Sequence, residues 1–484
     1  MKLKIILFFS FAVIQLHSQS AASMKYLLSL FEQYIHVELT IESSRQDSLI
    51  FTYGNPAFGG QNDIFKGLQN FKIEQPIKYF LDSNERKIII FPKEVTPLNI
   101  SYNVFDTRSA DNTRNQLFRP MIMTDYFYIH GINLFLTPES SPNQKITVAW
   151  KTRPPFKIFY AFDPDNEGTQ MVRTTIDSSS LRFITGAKDL LVKKFTNVSG
   201  DNFLVVRTES LSACAIKKVT RFYKKYNQTL REYWNDNRKI QYSLVLQPFQ
   251  HVHHAMSGVS FGNGFIGKYN QPDSLTIGER KFVVAHEIGH YYLGGLQAEN
   301  GRNYEGQWFN EGFNDYTTYF NLLRSNEMKS DEFIKGLNSI IQKLYKSPIK
   351  NTPNDKIFDN FWKLGDYSKL PYWRGCIYAF YLDNQISIQS NNRFCIRNLE
   401  LDLQDLVRNR DHKEFSNEEF VQAVAKYLPD MNQKELFNDY IVQGISIPFN
   451  TFLNPSIFKA TAIDGIPKLE ITNNRKFRLH FKKH

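Results

Sequence analysis

The spacing of hydrophobic residues changes once along this chain of 484 residues, and that change restricts the fold more than any other feature. Between about residues 33 and 205, hydrophobic residues recur at every second position, as in Ile35, Val37 and Leu39. A period of two is typical of strands that are buried on one face. The first part of the chain is therefore predicted to be a β-rich, sandwich-like domain.

From about Ser210 the hydrophobic spacing becomes that of α-helices, with strands between them. The predicted elements are a helix with Val219, Phe222, Tyr223, Tyr226, Leu230 and Tyr233 on one face, a strand at Tyr242–Leu246, a glycine-rich strand at Gly258–Tyr269, a helix around residue 286 and a helix at Trp308–Leu323. The chain is predicted to be mostly helical from about residue 330 to 445.

These patterns predict a multidomain α+β protein. The predicted segments are a signal peptide at 1–20, a β-rich N-terminal domain at 21–205, an α/β domain at 206–330, a helical C-terminal domain at 331–450 and a short β tail at 451–484. Within the tail, Arg475–Lys483 alternates in the way expected of an edge strand with one charged face.

The first 20 residues have the basic, apolar and small-residue regions of a secretory signal peptide. The apolar run at residues 5–16 is short for a membrane span, and no later apolar run is long enough for a span. We expect an exported protein, periplasmic or secreted, with no stable membrane insertion after cleavage. An uncleaved anchor at residues 5–16 is the alternative.

Composition excludes several classes of protein. The net charge is +11, but Lys and Arg are spread along the chain, so no nucleic-acid partner is expected. Three cysteines, Cys214, Cys376 and Cys395, are too few for a disulfide scaffold, although Cys376 and Cys395 could pair after export. The sequence contains no indication of oligomeric state.

His286-Glu287-Ile288-Gly289-His290 places two imidazoles one helical turn apart, with a carboxylate directly after the first. On a helix, His286 and His290 share one face and can hold a single ion, with Glu287 beside them. Thr276 and Glu279 form a predicted capping box, and Gly294-Gly295 is a predicted stop. The motif is the HExxH arrangement of zinc hydrolases. A metal-free structural pair is the alternative, but it would need other buried hydrogen-bond partners.

A catalytic zinc takes three protein ligands. A metzincin would supply a third His where this chain has Leu296. Glu299 and Glu305 lie in a polar segment, whereas Glu311 lies in an aromatic helix where a carboxylate is costly to bury without a partner. Glu311 is therefore the predicted third ligand. Asp315, one turn later, is a candidate to orient a ligating His, with a plain surface acid as the alternative.

The HExxH motif together with Trp308-Phe309-Asn310-Glu311-Gly312-Phe313 resembles the gluzincin metallopeptidases. The resemblance is to the glycyl aminopeptidases and to the related alanyl aminopeptidase and leukotriene hydrolase family. It implies a thermolysin-like zinc catalytic domain at 206–330. Leu370–Gly375 is similar to the Tyr-x-x-Gly segment of these families, which implies that Tyr372 donates a hydrogen bond to the tetrahedral oxyanion.

Three departures from the family pattern affect what the resemblance implies. Twenty residues, Tyr291 to Asn310, separate His290 from Glu311, a slightly longer gap than is usual. The chain ends too early for the PDZ domain common in the glycyl aminopeptidases. Phe261 occupies the place of the glutamate that, in these families, holds the substrate's free amino group.

The sequence thus predicts a zinc-dependent, aminopeptidase-like metallopeptidase acting on exported peptides or unfolded protein. Zn²⁺ is the predicted cofactor, held by His286, His290 and Glu311, with Glu287 as the general base and Tyr372 as the oxyanion donor. An endopeptidase of the same fold is the alternative among enzymes. A zinc-containing peptide-binding protein without turnover is the alternative of another class.

Overall fold

The computed structural model divides the chain into two compact units. Unit 1 comprises residues 1–107, 119–155 and 168–185, and unit 2 comprises residues 108–118, 156–167 and 186–484. The structure describes residues 23–42, 47–54, 63–92, 97–108, 119–140, 143–151, 156–166, 170–180, 182–197, 200–239, 241–248, 256–261, 263–269, 277–293, 297–298, 305–361, 365–410 and 413–483. The predicted signal peptide lies outside these residues, and the predicted domain boundaries stay predictions.

The strands before residue 188 are short and numerous, as the sequence predicts. They are β1 (Met24–Leu30), β2 (Tyr34–Ile41), β3 (Leu49–Thr52), β4 (Leu68–Ile73), β5 (Lys78–Asp82), β6 (Lys87–Phe91), β7 (Leu98–Phe105), β8 (Met121–Ile122), β9 (Tyr126–His130), β10 (Thr137–Pro138), β11 (Lys145–Trp150), β12 (Lys157–Tyr160), β13 (Met171–Thr175) and β14 (Phe183–Ala187), with helix α1 (Ile176–Ser180) before β14.

Unit 1 is built on a six-stranded sheet in the order β13-β11-β1-β2-β7-β4 and a four-stranded sheet in the order β10-β3-β6-β5. In β2 buried positions alternate with partly exposed ones, and Ile35, Val37 and Leu39 are at most 1% exposed. The period of two in the sequence is thus the alternation between the two faces of the sheet.

Unit 2 contains a five-stranded mixed sheet. Its strands are β15 (Leu190–Asn197), β16 (Gly200–Arg207), β17 (Tyr242–Pro248), β18 (Met256–Phe261) and β19 (Gly264–Tyr269), in the order β15-β16-β17-β19-β18. Parallel pairing joins β16 to β17 and β17 to β19, while β18 pairs antiparallel with β19 at one end of the sheet.

The prediction of a single strand at Gly258–Tyr269 is wrong, because β18 and β19 form a hairpin there. The residues between them in the sequence are Gly262 and Asn263, a pair typical of two-residue hairpin turns. The turn reverses the chain and leaves β18 as the end strand of the described sheet.

The rest of unit 2 is mainly helical, as predicted. Its helices are α2 (Ala213–Tyr233), α3 (Ile277–Leu293), α4 (Asn314–Arg324), α5 (Ser330–Lys346), α6 (Asn354–Ile357), α7 (Gly365–Gln389), α8 (Ile396–Val407), α9 (Asn417–Ala425), α10 (Gln433–Phe437), α11 (Phe449–Phe452) and α12 (Asn474–Lys483), and its short strands are β20 (Gln297–Ala298), β21 (Glu414–Phe415), β22 (Phe458–Ile463) and β23 (Ile466–Ile471). The mixed α+β class is confirmed, whereas the finer descriptions as sandwich-like and thermolysin-like stay predictions.

The end of the chain differs from the prediction. Residues 474–483 form helix α12 instead of an edge strand, although the preceding β22 and β23 do pair as a hairpin. Phe477 and Phe481 are each 1% exposed, while Leu479 is 56% exposed, which is the spacing of one helical face. A strand would also place both phenylalanines on one face, but it would place Leu479 there too, so the exposure of Leu479 agrees with the helical period alone.

Among the described residues, no helix is long and apolar enough to cross a membrane.

Helix α12 is joined to α7 by a buried ion pair. The Nε2 atom of His480 lies 2.7 Å from Oδ2 of Asp383, and both side chains are at most 3% exposed. Asp383 also accepts hydrogen bonds from the Tyr316 hydroxyl and the Ile396 amide. Burial alone would raise the pKa of Asp383, but His480 and these donors lower it below its usual value.

We expect His480→Leu to lower the free energy of unfolding by about 2–3 kcal/mol, since it leaves the Asp383 carboxylate buried without its imidazole partner. Lys476→Ala, at an exposed position of the same helix, is the matched control and should change it by less than about 0.5 kcal/mol. Urea unfolding of both variants measures the difference. Equal stability of the two variants would contradict the role of the pair.

Candidate metal centre

Helix α3 carries both histidines of the motif. Ala285 and Ile288 are at most 1% exposed, so the helix is anchored by its apolar face. The rings of His286 and His290 lie 4.7 Å apart between centroids and are perpendicular. The predicted cap at Thr276 and the stop at Gly294-Gly295 lie outside the described residues. The spacing of four thus places both imidazoles on one face, as the sequence predicts.

Glu311 completes the cluster from a different element. It lies on a π-helical turn, Trp308–Phe313, which continues into α4. Its Oε2 atom lies 3.1 Å from Nε2 of His286 and 3.4 Å from Nε2 of His290. Glu305, the other described candidate, does not belong to this cluster, and Glu299 lies outside the described residues.

The cluster suits a zinc ion by its donor atoms and by their spacing. One atom from each of His286, His290 and Glu311 lies within 4.8 Å of the other two. Ligands about 2 Å from a tetrahedral ion are about 3.3 Å from one another, close to the two distances from Glu311. Two imidazoles and one carboxylate are also the ligand set of one class of catalytic zinc site. The residues present therefore fit zinc.

The pKa shifts in the cluster indicate that it stabilises positive charge. Burial would lower the pKa of His286, but Asp315 and Glu311 raise it well above its ordinary value. Burial would raise the pKa of Glu311, yet the two imidazoles hold it well below its usual range. The carboxylates thus favour a cation at this place, and a divalent ion meets that requirement.

Asp315 and Asn314 fix the orientation of His286. Oδ1 of Asp315 lies 2.8 Å from Nδ1 of His286, which leaves Nε2 directed towards Glu311. Nδ2 of Asn314 donates to the backbone carbonyl of His286 at 2.8 Å. Of the two readings of Asp315 in the sequence, the geometry agrees with the orienting group and not with the plain surface acid.

Gly289 explains why the motif has a small residue between the histidines. A Cβ at this position would lie 2.1 Å from Oδ1 of Asn314. Helices α3 and α4 therefore approach each other here more closely than a side chain allows.

Tyr372 lies beside the cluster on helix α7. Its ring is 6.2 Å from the His286 ring between centroids and inclined by 16° to it. Burial first, and then the charges of Glu311, Asp315 and Glu287, raise the pKa of Tyr372 well above its usual value. The phenol therefore keeps its proton and is available as a hydrogen-bond donor.

The relative position of Glu311 and Tyr372 is set by two glycines. A Cβ at Gly375 would lie 1.8 Å from the Trp308 carbonyl oxygen, and a Cβ at Gly312 would lie 2.4 Å from Cα of Gly375. Helix α7 and the π-helical turn are thus in direct backbone contact. The sequence shows both glycines but not that they face each other.

Glu287 has a partner that the sequence analysis did not identify. Oγ of Ser260, on β18, lies 2.8 Å from Oε2 of Glu287. A serine on a predicted strand has no spacing relation to a helix downstream, so no sequence signal pairs the two residues. The backbone of Phe261 follows directly as the last residue of β18.

All three cysteines are free thiols in the structure, with Cys376 and Cys395 buried.

Comparison with known proteins finds similarity in structure alone. No model of a protein family matches the sequence, and no curated protein matches it. The fold is similar to an aminopeptidase N family protein from Idiomarina loihiensis, with a TM-score of 0.76 and 13% identity over 90% of this chain and 79% of that one. It is also similar to an M1 zinc metallopeptidase from Deinococcus radiodurans, with a TM-score of 0.53 and 13% identity over 88% of this chain and 95% of that one. At such low identity the likeness shows the fold alone.

A mutant of the Deinococcus radiodurans protein, whose structure contains a bound Tyr-Ser-Ala substrate, is similar to this chain with a TM-score of 0.51.

We expect Gly375→Ala to reduce the zinc content of the purified protein and to lower the free energy of unfolding by about 2–3 kcal/mol, because the added methyl group pushes α7 away from the π-helical turn. Gly365→Ala in the same helix is the matched control, since nothing lies within 4 Å of its Cβ position. Metal analysis and urea unfolding check both effects. Wild-type zinc content and stability in Gly375→Ala would contradict the tight contact.

Proposed function

We propose that this protein is a zinc-dependent metallopeptidase that hydrolyses peptide bonds in an aminopeptidase-like manner. The observation that carries the proposal is the convergence of His286, His290 and Glu311 within 4.8 Å. Glu287 follows the first ligand directly on the same helix. A structural zinc site has four closed ligands and needs no base, whereas three ligands beside a carboxylate are the arrangement of a catalytic site.

Zinc bound by these three residues would supply Lewis-acid polarisation of the scissile carbonyl and acidification of a water molecule. Glu287 accepts a proton from the attacking water and delivers it to the leaving nitrogen. Tyr372 donates its phenolic hydrogen to the oxygen that becomes negative as the tetrahedral centre forms. Asp315 holds the imidazole of His286 so that its Nε2 faces Glu311, the orientation in which it would bind zinc.

The substrate is proposed to be an extended peptide or an unfolded protein segment. Strand β18 is at the end of the described sheet and packs against α3, so its outer edge is suited to pair with a peptide backbone beside Glu287. The peptide bound to the Deinococcus radiodurans mutant supports this choice of substrate class. We also propose that hydrolysis takes place outside the cytoplasm, on the basis of the signal-like residues 1–20.

An endopeptidase of the same fold is the second candidate. Phe261 stands where the related families have the glutamate that binds a free amino group. A phenylalanine at this place offers no negative charge to a free amino group, and an endopeptidase does not need one.

Glu287→Gln is expected to reduce the rate of peptide hydrolysis by about 10³-fold, because an amide cannot accept the proton of water. Zinc content should stay at the wild-type level, since none of the three ligands changes. Glu305→Gln, which alters an acid outside the cluster, is the control and should retain activity. If Glu287→Gln retains activity, the assignment of the general base is wrong. If the zinc-loaded wild type cleaves no peptide, the result favours the alternative of a zinc-containing peptide-binding protein without turnover.

A mixture of matched peptides with free and acetylated N-termini distinguishes the two peptidase candidates. An aminopeptidase releases N-terminal residues from free peptides only, because it requires the charged amino group. Mass spectrometry of the products identifies the cleaved bond. Internal cleavage of acetylated peptides would reject the aminopeptidase and support the endopeptidase.

A further inference from the structure

The Ser260 hydroxyl makes two short contacts with one residue of the metal helix. Its Oγ atom lies 2.8 Å from Oε2 of Glu287 and 2.9 Å from the backbone carbonyl oxygen of the same residue. Ser260 is partly buried and precedes the last residue of β18. Among the described residues, no other side chain donates a hydrogen bond to the Glu287 carboxylate.

A hydroxyl has a single proton to donate, so the two oxygens compete for it. An ionised carboxylate is the stronger acceptor, and the proton therefore goes to Oε2. The other carboxylate oxygen, Oε1, is left without this donor. One oxygen is thus held while the second is free to receive a proton from water.

The position of Ser260 is fixed by packing and by strand pairing. Ser260 pairs with Phe265 in the hairpin, so their side chains share one face of the sheet. Phe265 is fully buried, and a Cβ at Gly258 would lie 1.9 Å from its ring. The ring therefore occupies the space that a side chain at Gly258 would need, and it holds β18 in register beside α3.

A free glutamate side chain rotates about three bonds and loses that freedom only when a hydrogen bond or close packing restricts it. Small displacements of a base from its productive geometry reduce the rate of proton transfer. On the basis of the proposed peptidase function, we propose that Ser260 is a positioning residue that holds the Glu287 carboxylate in the orientation needed for general-base catalysis.

The test compares Ser260→Ala, which removes the hydroxyl, with Ser260→Thr, which keeps it. We expect Ser260→Ala to lower kcat about tenfold with KM unchanged, because the hydroxyl acts on the base and not on the substrate. Ser260→Thr should recover most of this loss. Zinc content should be that of the wild type in both variants.

Ser210→Ala is the matched control, since Ser210 Oγ makes a hydrogen bond of 2.7 Å to Tyr269 at the far end of the same hairpin. It should leave kcat unchanged.

A second measurement does not depend on activity. Crystal structures of the zinc-free wild type and of Ser260→Ala should differ in the position of the Glu287 carboxylate.

If the wild type is active and Ser260→Ala has the same kcat, the positioning role is overturned. An equal loss in Ser210→Ala would overturn it too, because the effect would then be general. A wild type without any peptide hydrolysis would reject the peptidase function instead. In that case an unmoved Glu287 carboxylate in Ser260→Ala would also reject the inference about Ser260.

Discussion

Helix α7 comes so close to the π-helical turn that a Cβ at Gly375 would lie 1.8 Å from the carbonyl oxygen of Trp308. Glu311 belongs to that turn, and Tyr372 lies one helical turn before Gly375 on α7. On the other side of the site, Gly289 allows α3 to approach Asn314. Helix α7 and the π-helical turn are therefore in backbone contact, and α3 packs directly on the side chain of Asn314, so the side chains around these contacts have little freedom. The proposed ligands and the proposed oxyanion donor depend on these contacts for their position.

Buried carboxylates in unit 2 differ in charge according to their partners. Glu311 and Asp383 each lie beside imidazoles, and in both cases the pKa is lowered despite burial. Glu400 instead receives hydrogen bonds from the hydroxyl groups of Thr317 and Tyr233, and burial raises its pKa to about 7. A buried carboxylate thus has a lowered pKa where an imidazole lies beside it and a raised pKa where its partners are neutral hydroxyl groups.

The sequence predicted those features that depend on residue spacing or residue type within one element. The helix with His286 and His290 was predictable because a spacing of four always places residues on one helical face. The place of Glu311 beside the two imidazoles was predictable because a carboxylate among aromatic residues needs a compensating partner, while its role as a ligand stays a prediction. At the end of the chain, Phe477 and Phe481 fit both a strand and a helix, and sequence alone favoured the wrong one. The exposure of Leu479 in the folded chain distinguishes the two periods, because a strand would turn it to the same face as the two phenylalanines.

The sequence by itself determined the mixed α+β class, the helix that carries His286 and His290, and the candidate ligands, since each of these depends on residue type and local spacing. The tertiary structure alone decided the hairpin of β18 and β19, the contact between Gly312 and Gly375, and the hydrogen bond from Ser260 to Glu287. These features join residues that are far apart in the chain. No local pattern specifies which strand or helix will face another, because that choice depends on the packing of the whole core.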